Sequence, residues 1–228
     1  MRMVEHTVKA FDDEIGSLRG LIAEMGGLAE VAITSSINAL VRRDTDLARD
    51  VILADARIDA LEVEVDRLAV KIIALRAPMA DDLRDVISAL KISGIIERIG
   101  DYAKNIAKRV SDVEGRAKIE PLLLIPAMGE IAQSMVRDVL NAFASRNSAL
   151  AVEVVDRDLK VDEFYNSIFR NLVAHMMENP ATISSAAQLL FVARNLERVG
   201  DHATNIAELV YYAATGDYYQ DRDMPRNG

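Results

Sequence analysis

Three oxygen-bearing side chains, Glu97, Asp101 and Asn105, recur every four residues, and Glu197, Asp201 and Asn205 repeat the pattern further along the chain. A spacing of i, i+4, i+8 puts all three on one helix face. Carboxylates at i and i+4 repel by roughly a few tenths of a kcal/mol. Each set also encloses a glycine, Gly100 or Gly200, and glycine inside a helix costs about 1 kcal/mol relative to alanine. Two local penalties kept in both copies call for an offsetting interaction. A bound divalent cation removes the repulsion, and a glycine lets a neighbouring helix or a ligand approach the backbone. A second line of acids, Asp55, Asp59, Glu62 and Asp66, is spaced 4, 3, 4. In the other half it thins to Asp158 and Asp162, with Tyr165 where Glu62 stands. Packed beside the first set, these acids make an oxygen-rich site, suited to hard or borderline cations such as Mg, Mn, Ca or Fe.

A plainer reading stays open on spacing alone. Acid-rich helices often present a solvated face, and Arg98 and Arg198 would then form surface ion pairs worth about 0–1 kcal/mol. The remaining polar residues are weaker candidates. His202 lies one residue round from the acidic face, and His6 and His175 have no partner spacing. Arg84 and Arg194 are placed to pair with acids of the second and fifth helices or to bind an anion. There is no Gly-rich phosphate loop, no Ser/His/Asp set and no Glu-x-x-His pair, so the expectation is a protein that is not an enzyme.

Long helices must position these residues. Half of the 228 residues are hydrophobic but only 5% are aromatic, and Gly (11) and Pro (5) are scarce. So few turn formers disfavour an all-β domain. A net charge of −9 makes a poor general ligand for nucleic acid or anionic lipid. The absence of Cys excludes disulfides, thiol catalysis and Cys-type metal sites. Residues 1–16 contain no apolar run of the signal-peptide kind, and the longest uncharged stretch, 179–193, is too short and polar to span a bilayer. The expected location is the cytoplasm.

The run Leu47, Val51, Ala54, Ile58, Leu61, Val65, Leu68, Ile72, Leu75 steps 4, 3, 4, 3 throughout, an unbroken a/d seam. It predicts a helix over 46–76, roughly 46 Å long. Punctuation sets five others: 7–42, 81–113, 123 or 127 to 144, 147–178, and one from 182 to about 215. Glu114-Gly115 ends the third, and Glu120-Pro121 and Ile125-Pro126 mark a connector. Glu97, Asp101, Glu197 and Asp201 lie one or two positions past the apolar stripes of their helices, at the edge of the core and open to solvent or a partner.

The two sets of three helices are copies. Met25-Gly26-Gly27 aligns with Met128-Gly129-Glu130, and Asp55-x-x-Ile58-Asp59 with Asp158-x-x-Val161-Asp162, both at an offset of 103. Glu97-Arg98-Ile99-Gly100-Asp101-x-Ala103-x-Asn105-Ile106-Ala107 aligns with Glu197-Arg198-Val199-Gly200-Asp201-x-Ala203-x-Asn205-Ile206-Ala207 at an offset of 100. The fold class expected is all-α, two tandem homologous three-helix bundles spanning 5–115 and 120–216, with a loose tail over 217–228.

The doubled Glu-Arg-(Ile/Val)-Gly-Asp-x-x-x-Asn-Ile motif resembles the signature of the PhoU family. The resemblance covers residues 5–216 and includes Met25-Gly26-Gly27, Asp46-Leu47-Ala48, Asp82-Leu83-Arg84 and Leu190-Phe191-x-Ala193-Arg194. It implies an accessory regulator of bacterial phosphate-specific transport, often a homodimer. Such a protein links the ATPase subunit of the phosphate ABC importer to a phosphate-sensing histidine kinase. It represses the starvation response when phosphate is plentiful, and it meets the membrane only through these partners. Some family members hold iron or other metal clusters on the same motif. Carried over by position, the ligands are Glu97, Asp101, Glu197 and Asp201, with Asn105, Asn205, Asp59, Glu62 and Asp162 as additions, and the cofactor is an ion such as Fe, Mn, Mg or Zn. Tyr165 breaks the all-acid pattern and makes the two sites unequal. Two alternatives stand beside this: a metal-dependent phosphoaspartate hydrolase, and an accessory protein of a low-affinity phosphate carrier.

Overall fold

A computed structural model describes residues 2–113 and 124–219, with side chains over 11–112 and 124–219. Six long helices carry the chain: α1 (Arg2–Arg42), α2 (Thr45–Arg76), α3 (Ala80–Lys108), α5 (Leu124–Ser145), α6 (Ser148–Glu178) and α7 (Ile183–Thr215). A single turn, α4 (Val110–Val113), follows α3, and a 3-10 turn over Pro180–Thr182 precedes α7. There is no strand among the described residues. Helices α1, α2 and α3 pack as one bundle and α5, α6 and α7 as the other. The bundles join where α1 lies on α5 and α3 on α7, and one apolar cluster runs through both.

The duplication extends to the turns. Arg43 and Arg146 both adopt positive φ, at 57° and 52°. Behind them the N–H groups of Asp44 and Asn147 reach back to the carbonyls of Ala39 and of its counterpart Ala142, each at 2.9 Å, which closes the helix end. The same Asp44 and Asn147 then cap the next helix, accepting from the N–H of Leu47 at 2.9 Å and of Leu150 at 3.1 Å.

The bundles are related by a pseudo-two-fold axis. A methyl group added at Gly26 would stand 2.2 Å from Leu140 Cδ1, and one at Gly129 would stand 2.1 Å from Ile37 Cδ1. Ile37 and Leu140 are themselves equivalent positions, so the two contacts are reciprocal, as a two-fold requires. The glycines let α1 and α5 cross closely. Polar ties reinforce the joint. Buried Asp85 accepts from Arg19 at 2.7 Å and forms an ion pair with Arg146 of the other repeat at 3.0 Å, and Arg137 bonds Glu30 across the same joint at 2.8 Å.

Three expectations need correction. The seam on α2 does not stay buried: Ala54 and Leu75 are exposed, while Ala48, Asp55 and Ala69 turn inward. A straight helix repeats every 3.6 residues, so a strict seven-residue pattern drifts around it by about 20° per heptad. The drift carries Asp55 into the core. Helix α3 also ends at Lys108 rather than 113. The N–H of Arg109 tightens onto Ile106 O at 3.0 Å, and its guanidinium is held by Gln188 (3.2 Å) and the Phe191 ring (5.0 Å) of α7. Arg84 and Arg194 pair within their own helices, with Asp81 and Glu197, not with α2 and α6. The stop at Glu114-Gly115, the Glu120-Pro121 connector and the tail beyond 219 lie outside the described residues.

The segment Phe11–Arg42 of α1 is long and apolar enough, by length and composition, to cross a bilayer. Its Leu18, Ile22, Met25, Ala29 and Ile33 are instead buried in the protein core, where α1 packs on α2, α3 and α5.

Candidate functional site: two carboxylate faces

In the first repeat, α2 lies close against α3 at Gly100. A methyl there would come within 2.9 Å of Ile58 Cδ1 and 3.2 Å of Asp55 Oδ1. The glycine therefore admits the acidic line of α2 to the Glu97–Asp101 face, as the spacing suggested. Asp55 is only 5% exposed. Lys104 compensates it, with Nζ 2.5 Å from Asp55 Oδ2 and 2.9 Å from Asp101 Oδ1. Those hydrogen bonds hold the ammonium well above its ordinary range. The other acids are under-compensated. Burial, then Asp101, Glu62, Asp59 and Asp55, pushes the Glu97 carboxyl up. Burial, then Asp66 and Asp59, does the same to Glu62, and burial, then Asp55, to Asp59.

The second repeat has the same frame with different counterions. At Gly200 a methyl would stand 2.9 Å from Asp158 Oδ1. Thr204 occupies the place of Lys104, and its hydroxyl donates to the Asp201 carbonyl at 2.6 Å. Asp158 thus has no lysine. Burial, followed by Asp162, Asp201 and Glu197, pushes its carboxyl up to about 6. Burial, then Asp201, raises Asp162 and Glu197 against the pull of Arg194. Arg194 is the cation here: it pairs with Glu197 and lies 5.7 Å over the Tyr165 ring. Its counterpart is Gly94, which leaves room for Glu62, whose Oε1 would be 3.3 Å from an added methyl. The pair Gly94/Glu62 is thus exchanged for Arg194/Tyr165, which explains the unequal acid count. Glu197 is 8% exposed rather than at the open edge.

The faces meet at the axis. Tyr102 and His202, equivalent residues of the two motifs, stack at 5.4 Å with Tyr102 Oη 3.1 Å from His202 Nε2. Arg198 lies over Tyr102 at 5.8 Å. Asn205 Nδ2 approaches His202 Nδ1 at 3.3 Å, and among the described residues no hydrogen bond joins Asn105 to the acids. The sequence reading put Asp55 and Asp158 on the acidic lines without naming them ligands, gave Arg194 to acids of the fifth helix where it pairs with Glu197, and missed Lys104 as a counterion. Lys104, three residues past Asp101, was on the right face to be noticed, as was the pairing of Arg194 with Glu197 three residues on.

Among the described residues no three His, Asp or Glu side chains form a ready-made metal cage. The donor chemistry nonetheless fits a hard cation. Asp158 Oδ1 and Glu197 Oε2 are buried without any hydrogen-bond partner, a costly state for carboxylate oxygens that a bound cation relieves. The first face fits through half-buried Glu97 and Glu62 and the more open Asp59, none of which has an ion pair among the described residues.

Fold and site together define a class: duplicated three-helix bundles that mirror two carboxylate faces across a pseudo-two-fold axis. The PhoU domain model matches residues 22–110 and again 125–210. The chain belongs to the PhoU family. It is 54% identical to a phosphate-specific transport system accessory protein PhoU homolog of Zymomonas mobilis, over 96% of this chain and 92% of that one. The crystal structure of PhoU from Pseudomonas aeruginosa superposes with a TM-score of 0.87 at 39% identity, covering 91% of this chain and 100% of that one. The phosphate transport system regulatory protein PhoU of Streptococcus pneumoniae superposes with a TM-score of 0.86 at 27% identity, covering 92% and 99%.

Proposed function

We propose that this protein is a cytoplasmic, non-enzymatic regulator of phosphate uptake and signalling. It couples the ATPase subunit of the phosphate importer to a sensor histidine kinase, acts as a homodimer, and represses the starvation response when phosphate is plentiful. The observation that carries this reading is the doubled carboxylate face in a chain that matches a phosphate transport accessory protein over nearly the full length of both. The acidic faces would hold a metal ion of the divalent or iron type. Glu97, Asp101, Asp59 and Glu62 would hold it in the first repeat, and Glu197, Asp201, Asp162 and Asp158 in the second. Such an ion supplies positive charge that joins α2 to α3 and α6 to α7 and presents a cationic centre to a partner.

The test is a chromosomal deletion with a phosphate-responsive promoter reporter. Loss of the gene should switch the reporter on in phosphate-rich medium, and the wild-type chain should switch it off again. The tagged chain should also co-purify with the importer ATPase. A reporter that stays silent in the deletion strain would sink the regulatory reading.

A further inference from the structure

The two repeats differ in a groove as well as in their counterions. Between α1 and α2 lies a cleft of about 150 Å³, floored by Val51, Asp55 and Ile58. Three small residues hold it open: Ala32, Ser35 and Ala54. At the equivalent places, 103 residues on, stand Met135, Asp138 and Arg157. Met135 is fully buried, and Arg157 bonds Asp138 across the α5–α6 groove at 2.7 Å. At these three positions one repeat is filled and bridged and the other is open; the α1–α2 bridge of the first repeat, Arg57 to Glu24 at 2.7 Å, stands outside the cleft. The open one is rimmed by Val31, which is 63% exposed.

We propose that this cleft seats one apolar side chain of a basic segment of a partner protein. The volume is that of a cavity known to hold one benzene-sized group, so it takes one Leu, Met or Phe side chain. The rim sets the charge of the neighbour. Asp50 lines the cleft, is exposed and has no ion-pair partner among the described residues, so a Lys or Arg beside the apolar side chain would complete it. The chain's net charge of −9 favours the same partner. This goes beyond the regulatory reading, which assigns no role to α1, and the cleft needs no metal to act.

The test grafts the closed groove onto the open one: Ala32→Met, Ser35→Asp and Ala54→Arg in the full-length chain. The added charges cancel, so bulk electrostatics stay as they were, and each residue is one the other repeat already accommodates. The probe is a fluorescein-labelled sixteen-residue Ala/Lys helical peptide with one central Phe, read by anisotropy. The graft should weaken binding about tenfold or more, the loss expected for one buried aromatic, and Phe→Ala in the peptide should do the same. Single Ala32→Met fills the cleft without new charge and serves the same purpose should the triple variant melt early. Equal binding by wild type and both filled variants would overturn the proposal, as would equal binding of a Glu-for-Lys peptide. So would binding to neutral phosphatidylcholine vesicles that the graft abolishes, since the occupant would then be an acyl chain.

Discussion

Lys104 binds Asp55 at 2.5 Å, whereas the equivalent residues of the second repeat, Thr204 and Asp158, make no such pair. Buried Asp55 carries its own counterion, and half-buried Asp158, whose Oδ1 is buried without a hydrogen-bond partner, lacks one. The same helix frame therefore holds two acidic faces with different internal charge compensation, the second being the less compensated.

Exchanging these residues should move stability in opposite directions. Lys104→Met strands Asp55 in the core and should cost about 2–4 kcal/mol, as breaking a largely buried pair does. Thr204→Lys gives Asp158 a partner and should add about 1 kcal/mol, a rise of roughly 2–4 °C in Tm for a chain of this size. Urea and thermal unfolding at neutral pH check both, and a loss of stability in Thr204→Lys would count against the asymmetry.

The raised Asp158 carboxyl has a signed consequence for pH. A folded-state value of about 6 against an ordinary 3.8 means that the folded protein binds this proton more tightly than the unfolded chain. The stability it contributes is complete below the ordinary value and is lost as pH rises through about 6. Glu97, Asp162 and Glu197 are shifted in the same direction. In chelator the Tm should therefore fall between about pH 4 and pH 7. Asp158→Asn should flatten part of that fall, and excess Mn or Mg should remove it. A Tm that rises steadily over this interval in chelator, for wild type and Asp158→Asn alike, would refute the assignment.

Two adjacent glycines offer a sharp contrast. Gly26 meets Leu140 Cδ1 at 2.2 Å from a notional methyl, whereas Gly27 has nothing within 4 Å. Gly27→Ala should stabilise by about 1 kcal/mol through helix propensity. Gly26→Ala should destabilise by about 1–2 kcal/mol as the joint between repeats is overpacked. Equal effects in denaturant melts would mean that α1 and α5 do not cross closely at this point.

Much of this architecture was legible in the residues because it rests on local signals. Asp44 and Asn147 announce helix starts through their own side chains, and the doubled Glu-Arg-x-Gly-Asp motif announces the repeat. The seam on α2 misled at Ala54 and Leu75, because a seven-residue count treats a straight helix as if it were supercoiled. Contacts between repeats were beyond reach for another reason. Periodicity tells which face of α3 is apolar but not that Tyr102 will meet its own counterpart, His202, across an axis. The counterion Lys104 escapes a comparison of like residues at equivalent places, because its counterpart is Thr204.

The most direct measurement is elemental analysis of untagged protein purified without chelator. It is set beside a variant with Glu97, Asp101, Glu197 and Asp201 all changed to Ala. The expected result is stoichiometric metal in the wild type and its loss in the variant, with both chains equally helical by circular dichroism. Equal, sub-stoichiometric metal in the two would contradict metal binding at these faces and leave them as acidic surfaces that meet a partner directly.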